Sequence, residues 1–175
     1  MELTAEQAEL FVRNVLLDIL KKESGITRTV LAAVPNANLD YRPEPYARTA
    51  GQLLRHIASS DNSFLKSVAD GAFVPGSVAI PEGVNTPAEA AEWYEREYAK
   101  NFDAVSRLSG EQLVKPVDFR GRFERPAYAF LQIGLLHTIH HRGQLSIYLR
   151  PCGSKVPAIY GESYDTAEAK KASTA

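Results

Sequence analysis

Only one cysteine, Cys152, occurs in the 175-residue chain. No intrachain disulfide can form, which suits a reducing compartment, and a cytoplasmic location is expected. Long apolar runs are also missing, and none approaches the ~20 residues needed to cross a membrane. The N-terminal MELTAEQAEL lacks the basic start and apolar stretch of a signal peptide. Nor is there a surplus of positive charge. Lys and Arg number 20 against 21 Asp and Glu, for a net charge of −1. The basic residues are scattered rather than gathered into the face a nucleic-acid binder presents, so no nucleic-acid partner is expected. Histidine is scarce as well, with four in the chain.

What the chain does have is helical periodicity. With 45% apolar residues and this length, it suits one soluble domain with a sizeable core. Thr4 and Gln7 form a capping box ahead of Leu10, Phe11, Leu17, Leu20, Ile26, Val30, Leu31 and Val34, which recur at helical spacing. This predicts a first helix over about residues 5–34, with a kink at Ser24-Gly25 and a stop at Pro35. Thr49 and Gln52 open a second helix to about Ala69, closed by Gly71. Thr86, Pro87 and Glu89 open a third, with a core stripe of Ala91, Tyr94, Tyr98, Phe102 and Val105. Trp93 falls off that stripe and is expected against a loop or a partner. Residues 111–125 read as connection, and no strand pattern is visible.

The fourth helix spans Pro126 to Arg150, PAYAFLQIGLLHTIHHRGQLSIYLR, with Pro at its first turn. It is apolar nearly all round, so it should be covered on most sides, and a homodimer is expected. Residues 155–165 should fold back on the bundle, and residues 166–175 should fray. The fold class predicted is all-α, a single four-helix bundle over residues 1–165 with long loops.

Three of the four histidines lie on the fourth helix. His137 and His141 are four apart and share a face, with His140 turned away. An i, i+4 pair of imidazoles can hold one metal ion, but a useful site needs a further ligand, and only His56 is left. Two packed, hydrogen-bonded core histidines would give the same spacing. His56 sits on the second helix within a polar strip of Gln52, Ser59, Ser60 and Ser63, which predicts either a polar cavity or a solvent face. Gln144 lies about 20° from the face of His137 and His141 and could orient an imidazole, as could Ser60 and Ser63 near His56. Arg142 points about 140° away and is expected in a structural ion pair. Cys152, beyond the negative end of the helix, reads as inert packing. Asp61 lies about 140° round from His56, so no carboxylate is placed as a general base.

The phrases TAGQLLRHIASSDNSFL and HTIHHRGQLSIYLRPCG, the latter followed by VPAIYGESYD, resemble the DinB (DinB/YfiT-like) family over most of residues 5–165. The family pattern reads H-x-x-x-H-R-G-Q at the second phrase. The resemblance implies a four-helix bundle, often dimeric, with a three-histidine site for nickel or zinc. Carried over by motif, the ligands are His56, His137 and His141. Related folds act with low-molecular-weight thiols such as bacillithiol or mycothiol. The resemblance therefore implies a metal-dependent transferase or isomerase acting on a small-molecule substrate. The alternative is a non-catalytic stress-response bundle that holds a metal or small ligand.

Overall fold

The first rod of the bundle is three consecutive elements in the computed structural model, which describes residues 3–174. They are α1 (Ala5–Phe11), a π-helical turn (Val12–Leu16) and α2 (Leu17–Ala32). Thr4 and Gln7 exchange the reciprocal hydrogen bonds of the predicted capping box. The helix runs unbroken through Ser24-Gly25. The irregularity lies upstream, where the Leu17 N–H donates to the carbonyl of Val12. The buried residues Ala8, Val12, Leu16 and Leu20 step by four. In an α-helix each such step overshoots by about 40°. The wider π turn absorbs part of that drift and keeps all four on the core side. Leu10, which belongs to the apolar repeat, is exposed.

The next two helices begin where their capping boxes place them. In α3 (Ala50–Asp70) the box is Thr49 with Gln52, and the helix ends on Gly71 at φ 70°, a left-handed cap that glycine adopts without steric cost. In α4 (Pro87–Ser106) the box is Thr86 with Glu89, and Pro occupies the first turn. Trp93, expected against a loop or partner, is buried in the core of this chain.

The stretch expected to be connection is structured. A short helix, α5 (Gly110–Val114), starts from a Ser109–Gln112 capping box. A hairpin follows, β1 (Pro116–Asp118) antiparallel to β2 (Glu124–Pro126), with Val117 opposite Arg125. Strands of three residues are too short to show an alternating pattern in sequence. The bundle is mainly helical, as predicted, with this hairpin added.

In α6 (Ala127–Leu149), Pro126 is the N-cap rather than a first-turn residue. α3 packs against α4 and α6, and α2 packs against the same two, so four rods enclose one core. The other rods leave part of α6 uncovered: Leu136 is 66% and Ile147 74% exposed. Val156 and Ile159 of the returning tail pack against the core. Beyond them the expected frayed tail instead forms α7 (Tyr164–Thr174). Ser163 and Thr166 exchange capping hydrogen bonds at its start, and Asp165 accepts from Arg150 Nε and Val156 N. The first two residues of the expected domain and the last residue of the expected tail lie outside the described residues. Among the described residues, no helix is long and apolar enough to cross a membrane.

Candidate metal centre

α3 and α6 run antiparallel with little space between them. Gly134 sits so close to Phe64 that an added Cβ would stand 2.7 Å from that residue's Cβ. Further along the same seam, His56 of α3 meets His137 and His141 of α6. Ring centroids are 5.0 Å apart for His56–His137, 4.6 Å for His56–His141 and 4.4 Å for His137–His141. One ligand atom from each of the three lies within 4.8 Å of the others, close enough to share one ion. His140 is exposed, and its ring neighbours only His141 within the cluster.

The chemistry of the donor set suits a cation. Burial, followed by the nearby positive charge of Arg48 and repulsion from His141, lowers the pKa of His56 to about 4. His137 is lowered to about 4 by burial and by the neighbouring histidines. Burial also lowers His141. Neutral imidazole, the metal-binding form, therefore prevails at physiological pH. His141 Nδ1 donates to Gln144 Oε1 at 2.7 Å, which leaves Nε2 with a free lone pair. His56 Nδ1 is hydrogen-bonded with Ser60 Oγ at 3.2 Å. His137 Nδ1 is buried and has no hydrogen-bond partner. An orphaned buried nitrogen costs about 1–3 kcal/mol, a penalty that an ion bound at Nδ1 itself would offset. The residues present thus fit a divalent ion held by three histidines.

A cavity of about 260 Å³ opens beside His56 and His137. Ser59, Ser60 and Ser63 line one side, so the polar strip on α3 faces a cavity. Ser63 makes no hydrogen bond to a histidine; its place is in the cavity wall. Phe64, Phe73 and Phe119 line the other side, and Arg120 stands with them. Phe73 comes from the long loop after α3, and Phe119 and Arg120 from the hairpin. Sequence reasoning missed this contribution, and the only signal was the unusual length of the loop. A groove of similar volume between α2 and α4, bordered by Tyr94, Tyr98 and Phe102, contains no histidine.

The other candidates are structural. Arg142 is 1% exposed and ion-paired with Glu23 at 2.7 Å. Its guanidinium also donates to Thr27 Oγ1 at 3.2 Å and to the Tyr160 hydroxyl at 2.7 Å. Tyr160 in turn donates to Glu23 Oε2, so it clasps the tail to the bundle and does not line the histidine cavity. Cys152 is buried, and burial raises its pKa. Asp61 is 5% exposed and accepts from the Tyr94 hydroxyl at 2.7 Å.

Fold and site together define a helical bundle carrying a three-histidine cluster. A profile of the DinB family matches residues 7–172, and the chain belongs to that family. It is similar to YjoA of Bacillus subtilis, 25% identical over 142 residues, which are 80% of this chain and 90% of that protein. The crystal structure of that DinB-like protein superposes with a TM-score of 0.69 at 22% identity, covering 84% of this chain and 99% of that one. A DinB-like protein from Bacillus cereus ATCC 10987 gives a TM-score of 0.68 at 25% identity, covering 83% and 95% of the two chains.

Proposed function

We propose that His56, His137 and His141 hold one divalent ion, nickel or zinc, and that the protein is a metal-dependent enzyme of thiol transfer or isomerisation. The observation that carries this reading is the convergence of three neutral imidazoles, with ligand atoms within 4.8 Å of one another, at the edge of a cavity. When bound, such an ion would supply Lewis acidity and lower the pKa of a thiol or water. The chain itself does the positioning. Gln144 holds the His141 ring by its Nδ1, and Ser60 holds His56. The serines give the cavity its polar lining and the phenylalanines its apolar lining. Among the described residues no carboxylate lines the cavity, and Asp61 is committed to Tyr94, so hydrolysis with an internal general base is disfavoured.

That same missing carboxylate favours a second reading, in which the bundle binds a metal or small ligand without turnover. The test is elemental analysis of tag-free protein, followed by conjugation assays of electrophiles with several low-molecular-weight thiols in the nickel-, zinc- and manganese-loaded protein. Stoichiometric metal with thiol-dependent turnover supports the enzyme, and metal without turnover supports the binding module. We also propose that two copies pair through α6, where Leu136 and Ile147 lie exposed on one stripe with His140 and Gly143 between them. A cytoplasmic location accords with the single, buried cysteine.

A further inference from the structure

We propose that the cavity beside the histidines binds a small molecule with an anionic group and a flat apolar body, and that Arg120 pairs with the anionic group. This deepens the proposed function and rests on that reading only for what the histidine end of the ligand meets.

Arg120 carries the argument. Among the described residues it has no ion pair and no hydrogen bond; its one contact of note is with the Phe119 ring, 5.7 Å from the guanidinium carbon. An unpaired guanidinium at the wall of a cavity is a ready partner for a carboxylate or phosphate, which it can grip through two parallel hydrogen bonds. Its nearest carboxylate in sequence is occupied, because Asp118 Oδ2 accepts from Gly121 N at 2.7 Å within the hairpin tip. Among the described residues no Asp or Glu lines the cavity to compete.

The backbone fixes where that side chain starts. Arg120 has φ 57°, the only positive φ of a non-glycine among the described residues, and Gly121 follows at φ 71°. Two consecutive left-handed residues are what a tight hairpin turn requires. The Phe119 N–H donates to the Phe123 carbonyl at 2.8 Å, and the Arg122 N–H to the Phe119 carbonyl, so the tip that presents Arg120 is held in place.

The rest of the cavity sets the ligand's body. Phe64 and Phe119 lie parallel at 6.3 Å, with Phe73 edge-on to both, which gives a wall suited to a planar apolar group. Ser63 adds a hydroxyl to the lining, while Ser59 Oγ already donates to the Arg55 carbonyl at 2.7 Å. A volume of about 260 Å³ admits a small metabolite and lies just below the usual range for larger ligands.

The test is calorimetric titration of the full chain with phenylacetate, phenyl phosphate and neutral phenylacetamide. Each is run on zinc-loaded and chelator-treated protein, for wild type, Arg120→Gln and Arg120→Lys, with zinc content measured for all three. At least one anion should bind wild type about tenfold more tightly than the amide. Arg120→Gln should remove that preference and Arg120→Lys keep part of it, with amide affinity and zinc content unchanged. Which anion binds more tightly identifies the head group. The inference is overturned if neither anion is preferred to the amide, or if the preference survives in Arg120→Gln. The chelator-treated arm separates the two readings: a protein that binds no zinc but keeps an Arg120-dependent anion preference loses the metal assignment alone.

Discussion

Gly134 of α6 and Phe64 of α3 stand closer than two side chains can: a methyl group on the glycine would sit 2.7 Å from Phe64 Cβ and 2.8 Å from its Cγ. This contact sets the distance between the helices that carry the histidines. Gly134→Ala should therefore destabilise the fold by about 1–3 kcal/mol, measured by urea unfolding. Combining it with Phe64→Ala should recover part of the overpacking cost, read as a non-additive term in a double-mutant cycle.

The histidine cluster predicts a separation of metal content from folding. His137→Ala should lose stoichiometric nickel or zinc by elemental analysis while far-ultraviolet dichroism stays helical. Metal retained by that variant would remove His137 from the site. Gln144→Ala frees the His141 ring and should weaken metal affinity about 10–100-fold, measured by competition with a chelator.

Asp61 predicts a pH dependence of unusual sign. Burial raises its pKa from the ordinary 3.8 to about 6, against the hydrogen bond from Tyr94 and the positive charge of Arg142. Below pH 3.8 the folded and unfolded chains both hold the proton, and between 3.8 and about 6 only the folded chain holds it. The stability this contributes is therefore lost as pH rises through that window, by up to about 3 kcal/mol. Asp61→Asn keeps an acceptor for Tyr94 and cannot ionise. Its stability relative to wild type should grow from pH 4 to pH 8 by about that amount in paired urea titrations. A flat difference would show that Asp61 is not held protonated.

The clasp of Arg142, Glu23 and Tyr160 predicts graded losses. Arg142→Ala leaves the buried Glu23 carboxylate without its cation and should cost about 3–5 kcal/mol. Tyr160→Phe removes only the bridging hydroxyl and should cost about 1–2 kcal/mol. Thermal unfolding ranks the two, and equal losses would contradict the geometry.

The exposed stripe of α6 predicts self-association. Sedimentation should give a dimer for the wild type and a monomer for Leu136→Lys combined with Ile147→Lys, with the fold intact.

Much of the bundle was legible because its signals are local. Three capping boxes and Gly71 mark helix ends by hydrogen bonds that close within four residues, and they hold in the structure. The i, i+4 relation of His137 and His141 is likewise local, but that His56 meets them depends on how α3 and α6 pack. Periodicity suggested the shared face, elimination left His56 as the third histidine, and the family resemblance carried all three over by motif. The unread parts are those set by distant contacts. Phe119 and Arg120 reach the cavity through a hairpin whose strands are three residues each. The tail helix depends on Asp165 meeting Arg150. Trp93 is core because the neighbouring rods cover more of α4 than one stripe.

The π turn at Val12–Leu16 holds one residue more than a regular α-helix would. Removing one residue there would restore a regular spiral and leave the seven residues of α1 nearly in phase with α2. Glu9, whose carboxylate accepts from Gly110 N at 3.0 Å, would stay beside α5, and the N-terminal hook would hold. A single-codon deletion in this turn should thus be milder than one in the regular spiral of α2, which would turn α1 by about 100° away from its neighbours.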